Sequence, residues 1–336
     1  MPLLEAGISN MAERCDYAIL APALPVHMGN LINRAQSPSL LPMRTHISKD
    51  NQTRHLADDV IHYREYKILL QAERFTSKRA FLEFWEDANK TMAKLGIKVE
   101  IDPHAFDSQV REVLFYDTPE FDLYNNHFIL RKRTFYDQGW PRADHELTFK
   151  FRAPDLEAAA AVDVRPQIGG HEEIKFKEEL LLERDRLGGI RSVYSHGCVL
   201  ISPEIELERG IDNITRAFPT LKKIDISPRA RLELVNNIAV EEVQNTLGWI
   251  HFHHHFKGKA TIAIWRSRAL ERSLSGEFAF QCKFDRLEDI SKEALELSEE
   301  FYKKVQLDCA EWIMLGTTKT AMVYGLKDAD RLKNRE

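Results

Sequence analysis

The middle of the chain consists of short segments in which apolar and charged residues alternate with a period of two. In ELTFKFR (residues 146–152), every second residue from Glu146 to Arg152 is polar, and the residues between them are leucine or phenylalanine. Because successive side chains of a β-strand point to opposite faces, such a segment predicts a strand with one apolar and one charged face. The other segments of this kind are YREYKILL (63–70), FILRKR (128–133), EIKFKE (173–178), RARLEL (229–234) and EFAFQCKF (277–284).

Basic residues predominate on these charged faces, although the whole chain is acidic, with 47 Lys and Arg against 52 Asp and Glu. The basic residues are Lys67, Arg131, Arg133, Lys150, Arg152, Lys175, Lys177, Arg229, Arg231 and Lys283. An antiparallel sheet with one solvated face would give the same alternation. A concentration of cations on one face of an acidic protein instead suggests a site for a polyanion, and this face lines a lumen if the sheet closes on itself.

Two amphipathic helices are predicted to flank the strands. TSKRAFLEFWEDANKTMAKLG (76–96) and LEDISKEALELSEEFYKKVQL (287–307) each place their apolar residues on one helical stripe. Thr76 or Ser77 is the expected N-cap of the first helix, and Gly96 marks its expected end. The predicted fold class is α+β, with one antiparallel β-barrel or strongly curled sheet and helices on its outside.

Composition excludes several classes of protein. The net charge of −5 gives no reason to expect nucleic acid or an anionic membrane as a partner. The four cysteines have no CxxC spacing, which argues against a disulfide framework or a cysteine zinc site, and no apolar run approaches the length of a membrane span. A cytoplasmic protein is therefore expected, with an irregular extension (1–58), a patterned domain (59–325) and a C-terminal tail (326–336).

The most specific segment is FYDTPEFDLYNNHFILRKR (115–133), a strand end and an Asp-Thr-Pro turn followed by a strand that brings Arg131 and Arg133 to one face. It resembles the hairpin of the CYTH domains, the triphosphate tunnel metalloenzyme superfamily, which commonly reads YYDTPxxxLxxxGxxLRxR. Other pieces follow in the order of that family. They are an ExExK-like strand with Glu65 and Lys67, an ELTFK strand with Lys150, and the late strand GEFAFQCKF.

The resemblance implies an antiparallel eight-stranded β-barrel with flanking helices, in which basic residues bind a triphosphate and glutamates bind Mg²⁺ or Mn²⁺. Members include inorganic, thiamine and RNA triphosphatases and class IV adenylyl cyclases. The predicted phosphate ligands are Lys67, Arg131, Arg133, Lys150, Lys175, Lys177, Arg229, Arg231, Lys283 and Lys319. The predicted metal ligands are Glu65, Glu277, Glu146 and Glu233, and the predicted catalytic residues are Glu65 and Lys67. Guanidinium forks suit phosphate oxygens, and hard divalent ions prefer carboxylates.

The sequence departs from the family pattern at two positions. Tyr63 stands where the first glutamate of ExExK is expected, and Gln281 stands in the late strand, where many members have a second carboxylate. The first hypothesis is metal-dependent hydrolysis of inorganic triphosphate or an organic triphosphate. The second is a non-catalytic module that binds polyphosphate or a nucleotide on the same fold. A class IV adenylyl cyclase is less favoured, because nothing in the sequence identifies an adenine pocket.

Two further features have alternative interpretations. HFHHHF (251–256) is either an exposed or interfacial histidine cluster or a source of metal ligands, and its outer histidines are too far apart on a strand to converge easily on one ion. Lys319 either reaches a terminal phosphate from a barrel mouth or is a plain surface lysine after a turn.

Overall fold

The structure is a computed structural model, and it describes residues 60–269 and 271–325. The predicted N-terminal extension (1–58) and C-terminal tail (326–336) lie outside the described residues. No helix in the described ranges combines the length and the apolar character needed to cross a membrane. The cytoplasmic location stays a prediction.

The described residues contain ten strands and six α-helices. The strands are β1 (Tyr63–Leu70), β2 (Lys98–Ile101), β3 (Gln109–Asp117), β4 (Phe128–Asp137), β5 (Trp140–Ala153), β6 (His171–Leu181), β7 (Arg191–Ile201), β8 (Glu233–His253), β9 (Phe256–Ser267) and β10 (Arg272–Lys283). The helices are α1 (Lys78–Lys94), α2 (Asp122–Asn125), α3 (Leu156–Ala160), α4 (Ile211–Ala217), α5 (Lys292–Asp308) and α6 (Lys319–Val323).

Nine of these strands form a closed barrel in the order β8-β3-β4-β5-β7-β6-β1-β10-β9, and β9 pairs back with β8. β2 extends the sheet outside this ring by pairing with β8. Eight pairings within the ring are antiparallel, and the pairing of β1 with β6 is parallel. The prediction of a barrel with flanking helices is confirmed, but its count of eight antiparallel strands is corrected. A closed ring of nine strands cannot alternate direction throughout, so at least one parallel pairing is required.

The apolar faces of the strands point outward and are covered by helices. Tyr66 of β1 and Phe280 of β10 stack with ring centroids 4.4 Å apart, and they belong to one buried cluster with Phe84 of α1 and Phe301 of α5. A second cluster covers another part of the barrel, where Phe149 and Phe218 stack at 4.2 Å, and includes residues of α4. Because the apolar side chains of each strand face the helices, the charged side chains of the same strands face the interior of the barrel.

Both long helices are confirmed, α1 within two residues of its predicted limits and α5 with its start at Lys292, five residues after the predicted start. Ser77 precedes α1 as its N-cap, and Gly96 follows it with a φ of +69°, a conformation that glycine adopts more readily than other residues. Ser291 caps α5 by accepting a hydrogen bond from the Ala294 N–H at 3.2 Å. The two helices contact each other through Thr91, whose hydroxyl lies 3.0 Å from the carboxylate of Asp308.

The Asp-Thr-Pro turn between β3 and α2 is held by one buried carboxylate. Asp117 accepts hydrogen bonds from the N–H groups of Thr118 and Leu123 at 2.8 Å and of Tyr124 at 2.9 Å. The hydroxyl of Tyr324 donates to the same side chain at 3.0 Å. This network fixes the path of the chain into β4, and therefore the positions from which the side chains of that strand project.

The segment RARLEL is not wholly a strand, contrary to the prediction. Residues 229–232 precede β8, and the N–H of Ala230 bonds to Ser227 O at 2.9 Å in a turn that contains Pro228. The carbonyl of Ala230 accepts from the Ile211 N–H at 3.1 Å, so the segment supports the start of α4. Its alternating residues therefore do not belong to the charged wall of the barrel.

Candidate functional site

The interior of the barrel is a cavity of about 820 Å³ with a strongly charged wall. Thirteen basic and seven acidic side chains line it, so the wall carries an excess of six positive charges when all are ionised. The basic residues are Lys67, Arg111, Arg131, Arg133, Lys150, Arg152, Lys175, Lys177, Arg184, Arg191, Lys259, Lys283 and Lys319. The acidic residues are Glu65, Glu146, Glu179, Glu183, Asp185, Glu242 and Glu277. A cavity lined mainly by one sign of charge focuses its field and attracts ions of the other sign.

Most of the predicted site residues meet on this wall. They are Lys67, Arg131, Arg133, Lys150, Lys175, Lys177, Lys283 and Lys319 among the predicted phosphate ligands, and Glu65, Glu146 and Glu277 among the predicted metal ligands. Arg229, Arg231 and Glu233 are exposed and do not line the cavity. The placement of these three is corrected, because the first two lie in the turn before β8 and Glu233 is the exposed first residue of that strand.

Glu179 of β6 is the centre of one cluster of ion pairs. Its carboxylate lies 2.9 Å from Arg152 Nη2 and 3.3 Å from the Nζ atoms of Lys67 and Lys150. Burial alone would raise the pKa of this carboxyl, but Arg152, Lys150 and Lys67 hold it well below its usual value. Three cations thus share one buried anion, and the cluster leaves positive charge facing the cavity.

Lys150 and Arg131 are half-buried cations whose charge is not fully compensated by nearby carboxylates. Burial is the main cause that lowers the pKa of Lys150 to about 7, with Arg152, Lys67 and Arg131 acting in the same direction against Glu179. Arg131 donates to Thr148 Oγ1 at 3.2 Å, whereas its Nε atom is buried without a hydrogen-bond partner. Burial, and then Arg133, lower the pKa of Arg131 as well. An anion between these side chains would supply both an acceptor and the missing negative charge.

Glu65 of β1 lies between two ammonium groups. Its Oε2 atom is 3.1 Å from Lys67 Nζ and 3.2 Å from Lys177 Nζ. Burial would raise the pKa of Glu65, but Lys177 and Lys67 lower it to about 2. Lys177 also donates to Gln281 Oε1 at 3.1 Å, and its Nζ lies 5.3 Å from the ring centroid of Tyr63. A carboxylate with so low a pKa is not poised to act as a general base near neutral pH.

A second buried glutamate, Glu242 of β8, organises another part of the wall. It lies 2.9 Å from Arg111 Nη2 and 3.7 Å from Arg133 Nη2, and it accepts a hydrogen bond from Trp265 Nε1 at 2.6 Å. Lys319 Nζ lies 3.6 Å from Glu242 and 2.6 Å from Glu277. Burial raises the pKa of Glu242, but Arg133, Lys319 and Arg111 hold it well below its usual value. Lys319 is therefore part of the wall and not a plain surface lysine.

The carboxylates of the wall do not form a preassembled divalent-metal centre. Within residues 60–269 and 271–325, no group of three or more His, Cys, Asp or Glu side chains is placed to hold one ion. Glu65, Glu146 and Glu277 each lie within 4 Å of a basic side chain, which in the case of Glu146 is Arg133 at 3.9 Å. Mg²⁺ requires several oxygen ligands in near-octahedral geometry. The donor set therefore does not fit the metal site that the resemblance implied, and metal ligation by these glutamates stays a prediction.

The sequence patterns missed three residues that shape the site, namely Glu179, Glu242 and Arg111. Glu242 follows Glu241, whose side chain pairs outside the cavity with Arg266 and Arg268, so the two adjacent acids obscure the alternation. Glu179 is followed by a run of three leucines that hides its parity. Arg111 shares its face with Val113 and Phe115, and a mixed face of this kind gives no charge signal. The pairing register of neighbouring strands brings these residues together, and the sequence alone does not give that register.

The histidine cluster lies at the hairpin that joins β8 and β9. His254 and His255 form its turn, and both are exposed. His251 Nε2 is 3.1 Å from the carboxylate of Glu100 on the neighbouring β2. This arrangement agrees with the interpretation of an exposed cluster, and the described residues offer no third ligand that would make it a metal centre.

Comparisons with known proteins give matches only among solved structures. No family model matches the chain, and no curated protein matches it. A protein from Hippeastrum, described as a candidate adenylyl cyclase with a dominant triphosphatase activity, is 12% identical, with coverage of 79% of this chain and 96% of that one and a TM-score of 0.41. A candidate adenylate cyclase from Bacillus halodurans is 11% identical over 78% of this chain and 98% of that one, with a TM-score of 0.35.

The fold is a tunnel-like barrel with flanking helices. A third match, a protein from Pyrococcus horikoshii, is 11% identical over 78% of this chain, with a TM-score of 0.30. With TM-scores below 0.5 the likeness is general, and the chemistry of the site follows from the residues of this chain.

Proposed function

We propose that the barrel binds the phosphate chain of inorganic triphosphate, of an organic triphosphate or of polyphosphate. The observation that carries the proposal is the group of Arg131, Arg133 and Lys150 on β4 and β5. All three side chains face the cavity, and the Nε atoms of both arginines are buried without a hydrogen-bond partner. The other guanidinium N–H groups and the Lys150 ammonium offer phosphate oxygens charge-assisted hydrogen bonds of matching charge and geometry.

The distribution of the cations favours a chain of phosphates over a single phosphate. Lys283 lies opposite Tyr63 at one end of β1, whereas Lys319 contacts Glu277, which lies opposite Leu69 near the other end. Six residues of extended strand span about 20 Å. Basic side chains are therefore available along a length that accommodates several linked phosphates.

The binding proposal is tested by calorimetric titration of the full chain with tripolyphosphate. Arg131→Ala and Arg133→Ala are each expected to weaken binding at least about tenfold, because each removes charge-assisted hydrogen bonds worth roughly 1.5–3 kcal/mol. Arg229→Ala is the matched control, since it removes a predicted ligand that the structure places outside the cavity, and it should bind like the wild type. Unchanged affinity in both cavity variants would contradict the proposal.

Hydrolysis of the bound triphosphate is the second candidate function, and the positions of Glu242 and Glu277 favour it. Both carboxylates lie within 3.6 Å of the ammonium of Lys319, so a divalent ion that entered with the phosphate chain would find two carboxylates there if it displaced that ammonium. The test is release of free phosphate from tripolyphosphate with Mg²⁺ or Mn²⁺. Turnover that is abolished by Glu242→Gln or by Glu65→Gln supports an enzyme. Tight binding without turnover under either metal supports a non-catalytic binding module.

A further inference from the structure

We infer that the barrel binds its polyanion without a divalent cation, because Lys177 and Lys319 each place an ammonium group between two side-chain oxygens of the cavity wall. The inference rests on the proposed binding of a phosphate chain. It adds that ammonium groups of the protein, and not a divalent cation, supply positive charge to that site. It differs from the metal dependence that the sequence resemblance implied.

Lys177 contacts Tyr63 and Gln281, the two residues that stand where the family pattern has carboxylates. Its Nζ atom lies 3.2 Å from Glu65 Oε2 and 3.1 Å from Gln281 Oε1, two residues that are direct partners in the register of β1 and β10. The ring of Tyr63 lies 5.3 Å from the same ammonium, a distance suited to a cation–π contact. Both unexpected residues, Tyr63 and Gln281, thus contact one lysine, and the full negative charge among its three partners is that of Glu65, which Lys177 shares with Lys67.

Lys319 has an equivalent position farther along the same wall, at Glu277 of β10. Its Nζ atom is 2.6 Å from Glu277 Oε1, 3.6 Å from Glu242 Oε2 and 4.5 Å from the ring centroid of Trp265. The lysine begins α6, whose N-cap Thr318 accepts from the Ala321 N–H at 3.1 Å, so local structure fixes its backbone. Protein cations therefore already pair with both carboxylates, Lys319 with Glu277, and Lys319 together with Arg111 and Arg133 with Glu242.

The charge of the wall gives this arrangement a measurable consequence. A divalent ion that enters the lumen must compete with lysines for carboxylate oxygens and must add charge to a wall with an excess of six cations. A free triphosphate is attracted by that excess, whereas a magnesium triphosphate complex carries less negative charge. Mg²⁺ in solution should therefore compete with the protein for the phosphate chain and weaken the apparent affinity.

The experiment is calorimetric titration of the full chain with tripolyphosphate, first in EDTA and then in excess Mg²⁺. We expect binding in EDTA that is at least as tight as binding in Mg²⁺. Lys177→Met and Lys319→Met should each weaken binding in EDTA about tenfold or more, and Lys303→Met, an exposed lysine on α5, should bind like the wild type.

Three outcomes would overturn the inference, and they differ in what else they overturn. Wild-type binding that occurs only with a divalent ion contradicts the inference but leaves the proposed function intact. Unchanged affinity of both cavity lysine variants in EDTA does the same. Absence of binding in both conditions overturns the proposed function together with the inference. Circular dichroism of each variant establishes that it is folded before its titration is interpreted.

Discussion

Glu179 is the single residue on which the charged wall depends most directly. It is buried, and Arg152, Lys67 and Lys150 all lie within 3.3 Å of its carboxylate. Removing one partner of a buried charge cluster costs roughly 3–5 kcal/mol. We expect Glu179→Gln to lower the free energy of unfolding by about that amount in denaturant titrations, because three cations would then repel one another without an anion between them.

The pH dependence of stability provides the control for this prediction. The pKa of Glu179 is lower in the folded chain than its usual value of 4.5, so the stability that it contributes is present above that value and is lost as the pH falls through the folded-state pKa. Glu179→Gln should lose stability less steeply on acidification than the wild type. Glu300→Gln, at an exposed position on α5, should change neither quantity. Equal acid sensitivity of the wild type and Glu179→Gln would contradict the account.

The lowered pKa of Lys150 predicts that the protein takes up a proton when it binds the phosphate chain. Burial lowers the pKa of Lys150 to about 7, so that it is largely neutral at pH 8, and a bound phosphate would favour the ammonium form. Affinity should therefore fall as the pH rises above 7. Titrations of tripolyphosphate at pH 8 in two buffers of different ionisation enthalpy should give close to one more proton taken up by the wild type than by Lys150→Met. Protonation of the ligand itself contributes equally to both proteins and therefore cancels in this difference. Identical proton uptake by the two proteins would refute the prediction.

At the scale of elements, the hairpin that carries the resemblance is recognisable for a structural reason. Asp117 does not line the cavity, and its carboxylate binds three backbone N–H groups and the hydroxyl of Tyr324. Most of the motif therefore determines the direction in which β4 leaves the turn. Only Arg131 and Arg133, at its end, contribute side chains to the cavity wall.

Replacing Asp117 tests this interpretation of the turn. Asp117→Asn puts an NH₂ group where acceptor oxygens meet several donors, and we expect it to lower the free energy of unfolding by about 2–4 kcal/mol. The measurement is thermal and denaturant unfolding, with Asp137→Asn, an exposed residue at the end of β4, as the control. A loss of less than 1 kcal/mol would mean that the turn does not depend on the carboxylate.

Elements with simple alternation were predictable, and elements whose role depends on tertiary context were not. β1, β10 and the part of β6 up to Lys177 alternate polar and apolar residues, and the sequence assigns their lumen faces correctly. RARLEL has the same parity but forms a turn, because Pro228 and the contact of Ala230 with Ile211 decide its conformation. β8 runs for 21 residues, and the adjacent acids Glu241 and Glu242 disguise its alternation. Pattern alone cannot show that one of these acids points inward.

At the scale of the whole molecule, the barrel was predictable in kind but not in strand number. The parallel pairing of β1 with β6 closes the ring of nine strands, and its register brings Glu65 beside Glu179 and Tyr63 beside Lys177. Sequence patterns do not encode which strands become neighbours, so the sharing of Lys67 between Glu65 and Glu179 could not be foreseen. The contacts of Lys177 with Glu65 and of Lys67 with Glu179 arise from that pairing.

The excess of positive charge predicts that polyanions stabilise the folded chain in order of charge. A ligand that binds only the folded state at one hundred times its Kd adds about 2.7 kcal/mol. In thermal unfolding experiments, tripolyphosphate should therefore raise Tm by about 5 °C, and diphosphate and monophosphate should raise it progressively less. Arg131→Ala should reduce the shift, while Arg229→Ala should retain it. Equal shifts for all three phosphates would point to a general salt effect.

The central claim is that the lumen of the barrel, and not its outer surface, binds a phosphate chain. The most direct measurement is a crystal structure of the full chain with tripolyphosphate at high resolution. The account predicts three linked phosphates inside the cavity, with oxygens within hydrogen-bond distance of Arg131, Arg133 and Lys150. Density for the ligand only at the exposed turn of Arg229 and Arg231, or an empty lumen at saturating tripolyphosphate, would contradict it.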